Sequence, residues 1–403
     1  MTVAVILSLC VLILLGYVFD LTASKTRVPS VILLLLMGWI VRQIVTYLDI
    51  TLPDFNPILP ILGTIGLILI VLEGSLELEL NKSKLPVLRK SLLGALIPLV
   101  ALAFVFTYIF SYGGTYDLKI ALVNALPLCV ISSAIAIPSA ANLLKGDKEF
   151  IIYESSLSDI IGVVLFNFLM FNTEFNFSTF GGFFLQLLVM LLISIVATFG
   201  LSLLLSKIEH HIKFIPIIIM VVLIYEIAKV YHLPSLIFIM ILGLVLGNID
   251  ELNGYEWIKK FKTETLNKEI HKFTEITIEG AFLIRVLFFL LFGYLIETEE
   301  LLNTDTLLWA LAIVVSIFLF RAIQLKISGL KIAPLLFIAP RGLITILLYI
   351  SIDPQFKIAI VNKPLIIQVI LMTALVMMFG LIFTKVEKPL LTAEKEVAKH
   401  LDN

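Results

Sequence analysis

The sequence predicts an all-α polytopic membrane protein with about 13 transmembrane helices, in two inverted repeats with two interrupted, crossing helices. Three observations carry that prediction. Of 403 residues, 60% are hydrophobic and 15% charged, against about 25% charged in soluble domains, and the mean hydropathy is +1.10. Thirteen apolar stretches are long enough, or nearly so, for a hydrocarbon core of about 30 Å. The loops between them alternate between rich and poor in Lys and Arg.

The stretches fall at about 3–20, 28–48, 58–76, 88–111, 120–144, 149–171, 181–206, 213–231, 233–248, 277–297, 306–325, 332–352 and 364–384. The first lacks a basic leader and a small-residue cleavage site, so it is expected to remain as a helix rather than a signal peptide. The fifth carries Pro127 and Pro138, and the twelfth carries Pro340 next to Arg341 and Gly342. Proline removes an N–H and frees carbonyls, so both segments are expected to unwind at depth. The ninth is short. Residues 249–276 form a charged cytoplasmic linker, with an amphipathic surface helix as one reading, and 385–403 form a short cytoplasmic tail. That tail is too short for a nucleotide-binding or regulatory domain.

One set of loops, with the C-terminal tail, holds 21 Lys and Arg, among them Lys25, Arg27, Lys82, Lys145 and Lys385. The alternate set holds only Lys119, Lys229, Lys357 and Lys363. The positive-inside rule puts the first set in the cytoplasm, with the N-terminus outside and the C-terminus inside. An odd number of crossings gives the same result. A faint repeat supports the architecture. Leu72-Glu73-Gly74-Ser75-Leu76-Glu77 closes the third segment and Leu291-Phe292-Gly293-Tyr294-Leu295-Ile296-Glu297 closes the tenth, while the fifth and twelfth both carry internal Pro. The offset of seven segments is odd, so the copies insert with opposite topology, as in secondary transporters.

Carboxylates in hydrocarbon mark functional sites by default. The sixth segment holds two, in Tyr153-Glu154-Ser155-Ser156-Leu157-Ser158-Asp159. Counted from Glu149, Asp159 lies about 15 Å deep, near the midplane. Ser132 and Ser133 of the fifth segment and Arg341 of the twelfth reach the same level. Ser155 and Asp159, four apart, share a helix face. Glu154 lies about 140° from Asp159, so the two acids are expected to have different jobs. Asp159, with Ser155, Ser158, Ser132, Ser133 and freed carbonyls, forms a hard-oxygen set suited to a small cation. Glu154 is expected to pair with Arg341, and Glu73 with Arg321, as structural ion pairs. Arg285 has two readings, a pair with Glu279 or a modulator of charge near the site. Arg42 lies near an outer helix end, where it can snorkel, and Glu226 with Lys229 can pair locally.

The run Glu154-Ser155-Ser156-Leu157-Ser158-Asp159-Ile160-Ile161-Gly162-Val163-Val164-Leu165-Phe166 resembles the E-S-L-x-N-D-x-x-x-x-V-x-F segment of the monovalent cation/proton antiporter superfamily, the sodium/proton exchangers. Ala339-Pro340-Arg341-Gly342-Leu343-Ile344-Thr345 looks like its G-x-R-G-A-V-S segment, and Leu72-Glu73-Gly74-Ser75-Leu76-Glu77 its F-x-x-G-L-x-x-D segment. Ser132-Ser133-Ala134-Ile135-Ala136 is similar to the broken-helix motif in its S-S-T form. The resemblance spans about residues 5–385. It implies a transmembrane transporter unit over 1–384, with core helices at about 58–171 and 277–384 and the remaining helices as dimerisation scaffold. It also implies a homodimer in the plasma (inner) membrane and elevator-like alternating access. In that scheme the aspartate matching Asp159 exchanges H+ for Na+, K+ or Li+, the residues matching Glu154 and Arg341 pair structurally, and the position matching Ser133 supplies ligands in part of the family. Two departures stand out: Ser158 replaces the usual Asn or Asp, and Ser133 replaces the Asp of one branch. One carboxylate facing the site favours one-for-one electroneutral exchange.

Other classes fit less well. A channel would want a filter-like run of Gly and carbonyls, which the sequence lacks. An anion or organic-acid transporter would want a free arginine, so Arg341 without a partner would favour it. Catalysis is not expected: His210, His211, His232, His271 and His400 lie in or near loops, and Cys10 and Cys129 read as small hydrophobes. The expected partners are the bilayer and a second copy of the chain, not nucleic acid. No cofactor is expected beyond the transported cation and H+.

Overall fold

The computed structural model describes residues 2–26, 28–50, 53–78, 83–112, 116–172, 176–208, 212–249 and 263–384. Among them there is no strand. The helices are α1 (Thr2–Thr26), α2 (Ser30–Tyr47), α3 (Ile58–Leu76), α4 (Leu85–Ser111), α5 (Leu118–Cys129), α6 (Ser133–Ser139) and α7 (Lys145–Phe171). They continue as α8 (Phe177–Lys207), α9 (Phe214–Val230), α10 (Leu236–Gly247), α11 (Thr263–Tyr294), α12 (Thr298–Leu301), α13 (Thr304–Ile327), α14 (Leu343–Ile350) and α15 (Lys363–Phe383).

Each of the thirteen apolar stretches is helical, but not all as single long helices. Among the described residues, nine helical spans are long and apolar enough to cross a membrane, with the interrupted Leu118–Ser139 counted as one. The other four stretches fall short for visible reasons. The first contributes a described apolar helix over Leu7–Ala23, and α10 has only 12 residues. The helix α9 stops at 17 residues. The twelfth stretch is broken into a 3-10 turn at Leu335–Phe337, an extended run and α14.

Two segments differ from expectation at their ends. Residues 263–276, read as part of a separate linker, are continuous with α11. Their inner end is tied down, because Lys213 Nζ lies 2.7 Å from Glu269 Oε2 and also donates to the Leu205 and Ile208 carbonyls. The rest of the linker, 250–262, and the tail 385–403 lie outside the described residues. The outer ion pair of α2 is a second difference. Arg42 bonds Glu297 at 3.0 Å and the Tyr294 carbonyl at 3.3 Å rather than simply snorkelling. Glu226 and Lys229 do meet locally, at 4.0 Å.

Packing sorts the helices into two groups. In one, α2 lies along α11, α11 along α3, α3 along α10 and α10 along α8. In the other, α4 packs on α5 and α7, α13 on α4 and α15, and α14 on α5. So α3 and α11 have their most extensive packing with each other, with α2 and with α10. Between the groups runs a seam in which α3 faces α14, α6 and α7. At one end of the seam Lys363 of α15 bonds the Leu295 carbonyl at the end of α11, at 3.0 Å, and Glu300 of α12 at 2.9 Å.

Within the first group the backbones touch. A Cβ at Gly293 would lie 2.3 Å from the Leu35 carbonyl oxygen, and one at Gly38 2.2 Å from that of Leu290. Small residues of this kind let membrane helices approach closely. Gly293→Ala should therefore cost about 1–3 kcal/mol by overpacking, read as a lower thermal midpoint in detergent. Gly181→Ala, where nothing lies within 4 Å, should leave that midpoint unchanged.

Candidate functional site at the crossing of two broken helices

The fifth and twelfth segments are both interrupted where they cross. Between α5 and α6 the chain runs extended, with ψ of 131° at Val130 and 114° at Ser132. Opposite it runs the stretch 338–342 that leads into α14. The Ser132 amide donates to the Pro340 carbonyl at 2.9 Å and joins the two. Gly342 permits the approach, since a Cβ there would fall 2.6 Å from Ile135 Cδ1 and 2.9 Å from Ser132 Oγ.

Unwound backbone at membrane depth must find partners inside the protein. Several of the freed groups at the crossing have a traceable one. Ser158 Oγ accepts from the Ile131 amide at 3.0 Å. Asp159 Oδ2 accepts from the Ser133 amide at 3.2 Å and from the Ser133 hydroxyl. Thr373 Oγ1 accepts from the Arg341 amide at 3.1 Å. On the carbonyl side, Arg341 Nε donates to Leu128 at 2.7 Å and Nη1 to Ala339 at 3.0 Å. Arg321 donates to the Leu335 carbonyl from Nε and Nη2, at 3.2 and 3.1 Å, and to that of Ile338 at 3.3 Å.

The charges follow the helix dipoles. Arg341 sits at the C-terminal, negative end of α5, and Asp159 at the N-terminal, positive end of α6. Asp159 is 2% exposed. Its Oδ1 and the Ser132 hydroxyl oxygen are buried without a hydrogen-bond partner.

The expected ion pairs are exchanged. Glu154 pairs with Arg321, not Arg341. Glu73 pairs with Arg285, at 3.1 Å, not with Arg321. Two physical reasons account for this. Arg341 spends its donors on the carbonyls of the broken helices. Depth alone also does not say which helices are neighbours: α3 packs along α11, which carries Arg285, while α13, which carries Arg321, packs beside α4 and α7's partners. Arg285 therefore meets neither Glu279 nor the crossing. The separation of faces on α7 holds, with Glu154 towards α13 and Asp159 towards α6.

The serines divide. Ser133 contacts Asp159 directly and Ser158 holds the neighbouring backbone. Ser155 turns its hydroxyl onto the Ile151 carbonyl of its own helix, at 2.7 Å, rather than to Asp159. Thr373 belongs to the crossing but had no sequence signal, as a single threonine in an apolar run. Arg321 had a signal, an arginine deep in an apolar helix, which was assigned to the wrong acid.

A family model described as "Sodium/hydrogen exchanger, transmembrane" matches residues 10–386. No curated protein matches the sequence. Among solved structures, one of the sodium proton antiporter MjNhaP1 from Methanocaldococcus jannaschii at pH 8 is similar. It has a TM-score of 0.68 at 18% identity, over 94% of this chain and 100% of that one. An electron-microscopy structure of the same antiporter gives 0.65 at 20% identity, over 96% and 100%.

Breaking the Glu154–Arg321 pair leaves a buried charge without compensation, which costs about 3–5 kcal/mol. Glu154→Ala and Arg321→Ala should each lower the thermal midpoint in detergent sharply. Glu154→Ala combined with Arg321→Ala should cost less than the two single losses added together, and a double-mutant cycle on the midpoints checks it.

Proposed function

The chain belongs to the sodium/hydrogen exchanger family, and we propose that it is a secondary active transporter exchanging a monovalent cation, Na+ or K+, for H+ at Asp159. One observation carries the proposal. A single buried carboxylate stands at the crossing, with one oxygen held by Ser133 and the other, Oδ1, without a partner.

Asp159 Oδ1 and the Ser132 hydroxyl oxygen are the ligands on offer to a cation, and Ser133 orients the carboxylate. Ser158 and Ser155 position backbone rather than ion. A proton or a cation on Asp159 neutralises it, and only the neutral form crosses an apolar barrier cheaply. Exchange is then obligatory, because the two ions compete for one group. One carboxylate makes the exchange one-for-one.

Access alternates as the group of α4–α7 and α13–α15 shifts against the group of α1–α3 and α8–α11. The support for this is the seam between them. We place the protein in the plasma membrane as a homodimer, as the family resemblance implies, with the N-terminus outside and the C-terminus inside by loop charge. An anion carrier finds no support in Arg341, whose Nε and Nη1 are committed to the Leu128 and Ala339 carbonyls.

Proteoliposomes with an internal pH dye test the reading, with Na+, K+ and Li+ compared. Asp159→Asn should abolish cation-dependent proton movement, and retained exchange would overturn the assignment. Competition adds a pH signature. Where the site is mostly protonated, the cation KM should rise about tenfold for each pH unit of acidification, with kcat unchanged.

A further inference from the structure

We propose that Asp20 is a loading carboxylate, which gathers the transported cation in a cavity on the cytoplasmic side before it reaches Asp159. The inference rests on the exchange reading above and adds a second cation-attracting residue to it.

Asp20 lies near the end of α1 and lines a cavity of about 170 Å³. The walls come from both helix groups. Asp20 and Ser30 stand on the α1–α2 side, and Ile135, Pro138 and Ser139 of α6, with Asn142 after it, on the other. In the sequence, Lys25 and Arg27 fall between the first two apolar stretches and Lys145 and Lys148 between the fifth and sixth, which assigns this mouth to the cytoplasm. Among the lining residues Asp20 is the sole acid.

Its carboxylate is positioned for this role. Ser30 Oγ donates to Oδ1 at 3.1 Å and fixes the side chain across the α1–α2 turn. No described cation pairs with Asp20. The cavity is also on the right path. It contacts α6 from Ile135 to Ser139, and the first residue of α6, Ser133, holds Asp159. Along the helix Ser133 and Ser139 are about 9 Å apart. Asp159 itself is 2% exposed, so a cation in the cavity is separated from the site by a closed layer of protein.

A negative charge in a cleft with low-dielectric walls raises the local cation concentration. Among the lining residues no Lys or Arg opposes it. The carboxylate acts on entry from one side only, and it neither carries the ion across nor exchanges a proton for it.

The test is sided kinetics in right-side-out and everted membrane vesicles. Asp20→Asn should raise the KM for Na+ or K+ presented at the cytoplasmic face about three- to tenfold, with kcat and the outer-face KM unchanged. Asp20→Glu should restore the cytoplasmic KM. A cytoplasmic KM within twofold of wild type in Asp20→Asn would overturn the proposal. So would equal shifts on both faces, or an Asp20→Glu variant as impaired as Asp20→Asn. Should neither variant fold, wild-type protein still decides. Raising ionic strength with choline chloride should weaken the cytoplasmic KM more than the outer one, and equal effects would overturn the loading role. Wild-type vesicles without any exchange would instead sink the exchange reading, and the loading role with it.

Discussion

The rest of the structure depends on one constraint: two helices are broken at membrane depth, where no water is at hand for their freed backbone groups. Every buried N–H and C=O there must be paired within the protein. That requirement explains the chemistry at the crossing better than any single motif does. Two arginines are buried because carbonyls need donors. Ser158 and Thr373 are polar because amides need acceptors. Asp159 is the exception that makes the site useful, since two donors from Ser133 occupy only one of its oxygens. A fully satisfied carboxylate would be a structural cap, and a half-satisfied one keeps an oxygen available for the proposed ion.

Much of this was legible in the sequence. Depth counting along the fifth, sixth and twelfth stretches brought Ser132, Ser133, Asp159 and Arg341 to one level, and the structure brings them to one crossing. Helical angle separated Glu154 from Asp159, and they do face different neighbours. The errors share a cause. Choosing Arg341 for Glu154 and Arg321 for Glu73 used depth, which is one coordinate, where pairing needs to know which helices touch. An arginine was also assumed to need an acid. Here Arg341 and Arg321 both bond backbone carbonyls, a demand created by the breaks themselves and invisible in a list of charges. Ser155 failed for a related reason: sharing a face with Asp159 does not oblige a serine to leave its own i−4 carbonyl, the usual alternative for a helical hydroxyl.

The two helix groups are held in different ways. Inside the first, glycines bring backbone against backbone, and such contacts cannot re-form elsewhere without moving a helix. Across the seam the contacts of α3 are with side chains: Gly63 faces Leu347, Gly66 faces Leu343 and Gly74 faces Ser156. Side chains have alternative rotamers, so this boundary can be repacked while each group stays intact. The bonds from Lys363 to Leu295 and Glu300 are polar ties across one end of the same boundary.

The half-satisfied carboxylate has an electrical consequence. The partners of the Arg341 side chain are uncharged carbonyls. With H+ on Asp159, or with a monovalent cation there, the crossing holds the same total charge. On the one-for-one exchange proposed above, the two loaded forms would respond identically to membrane voltage, and the voltage would drop out of the complete cycle. A second ionisable group at Ser133 or Ser158 would change that. Each unbalanced charge carried per cycle would bring in about 2.3 kcal/mol for every 100 mV. On that proposal, two hydroxyls in place of acids would leave the ratio of the two ion gradients as the whole driving force.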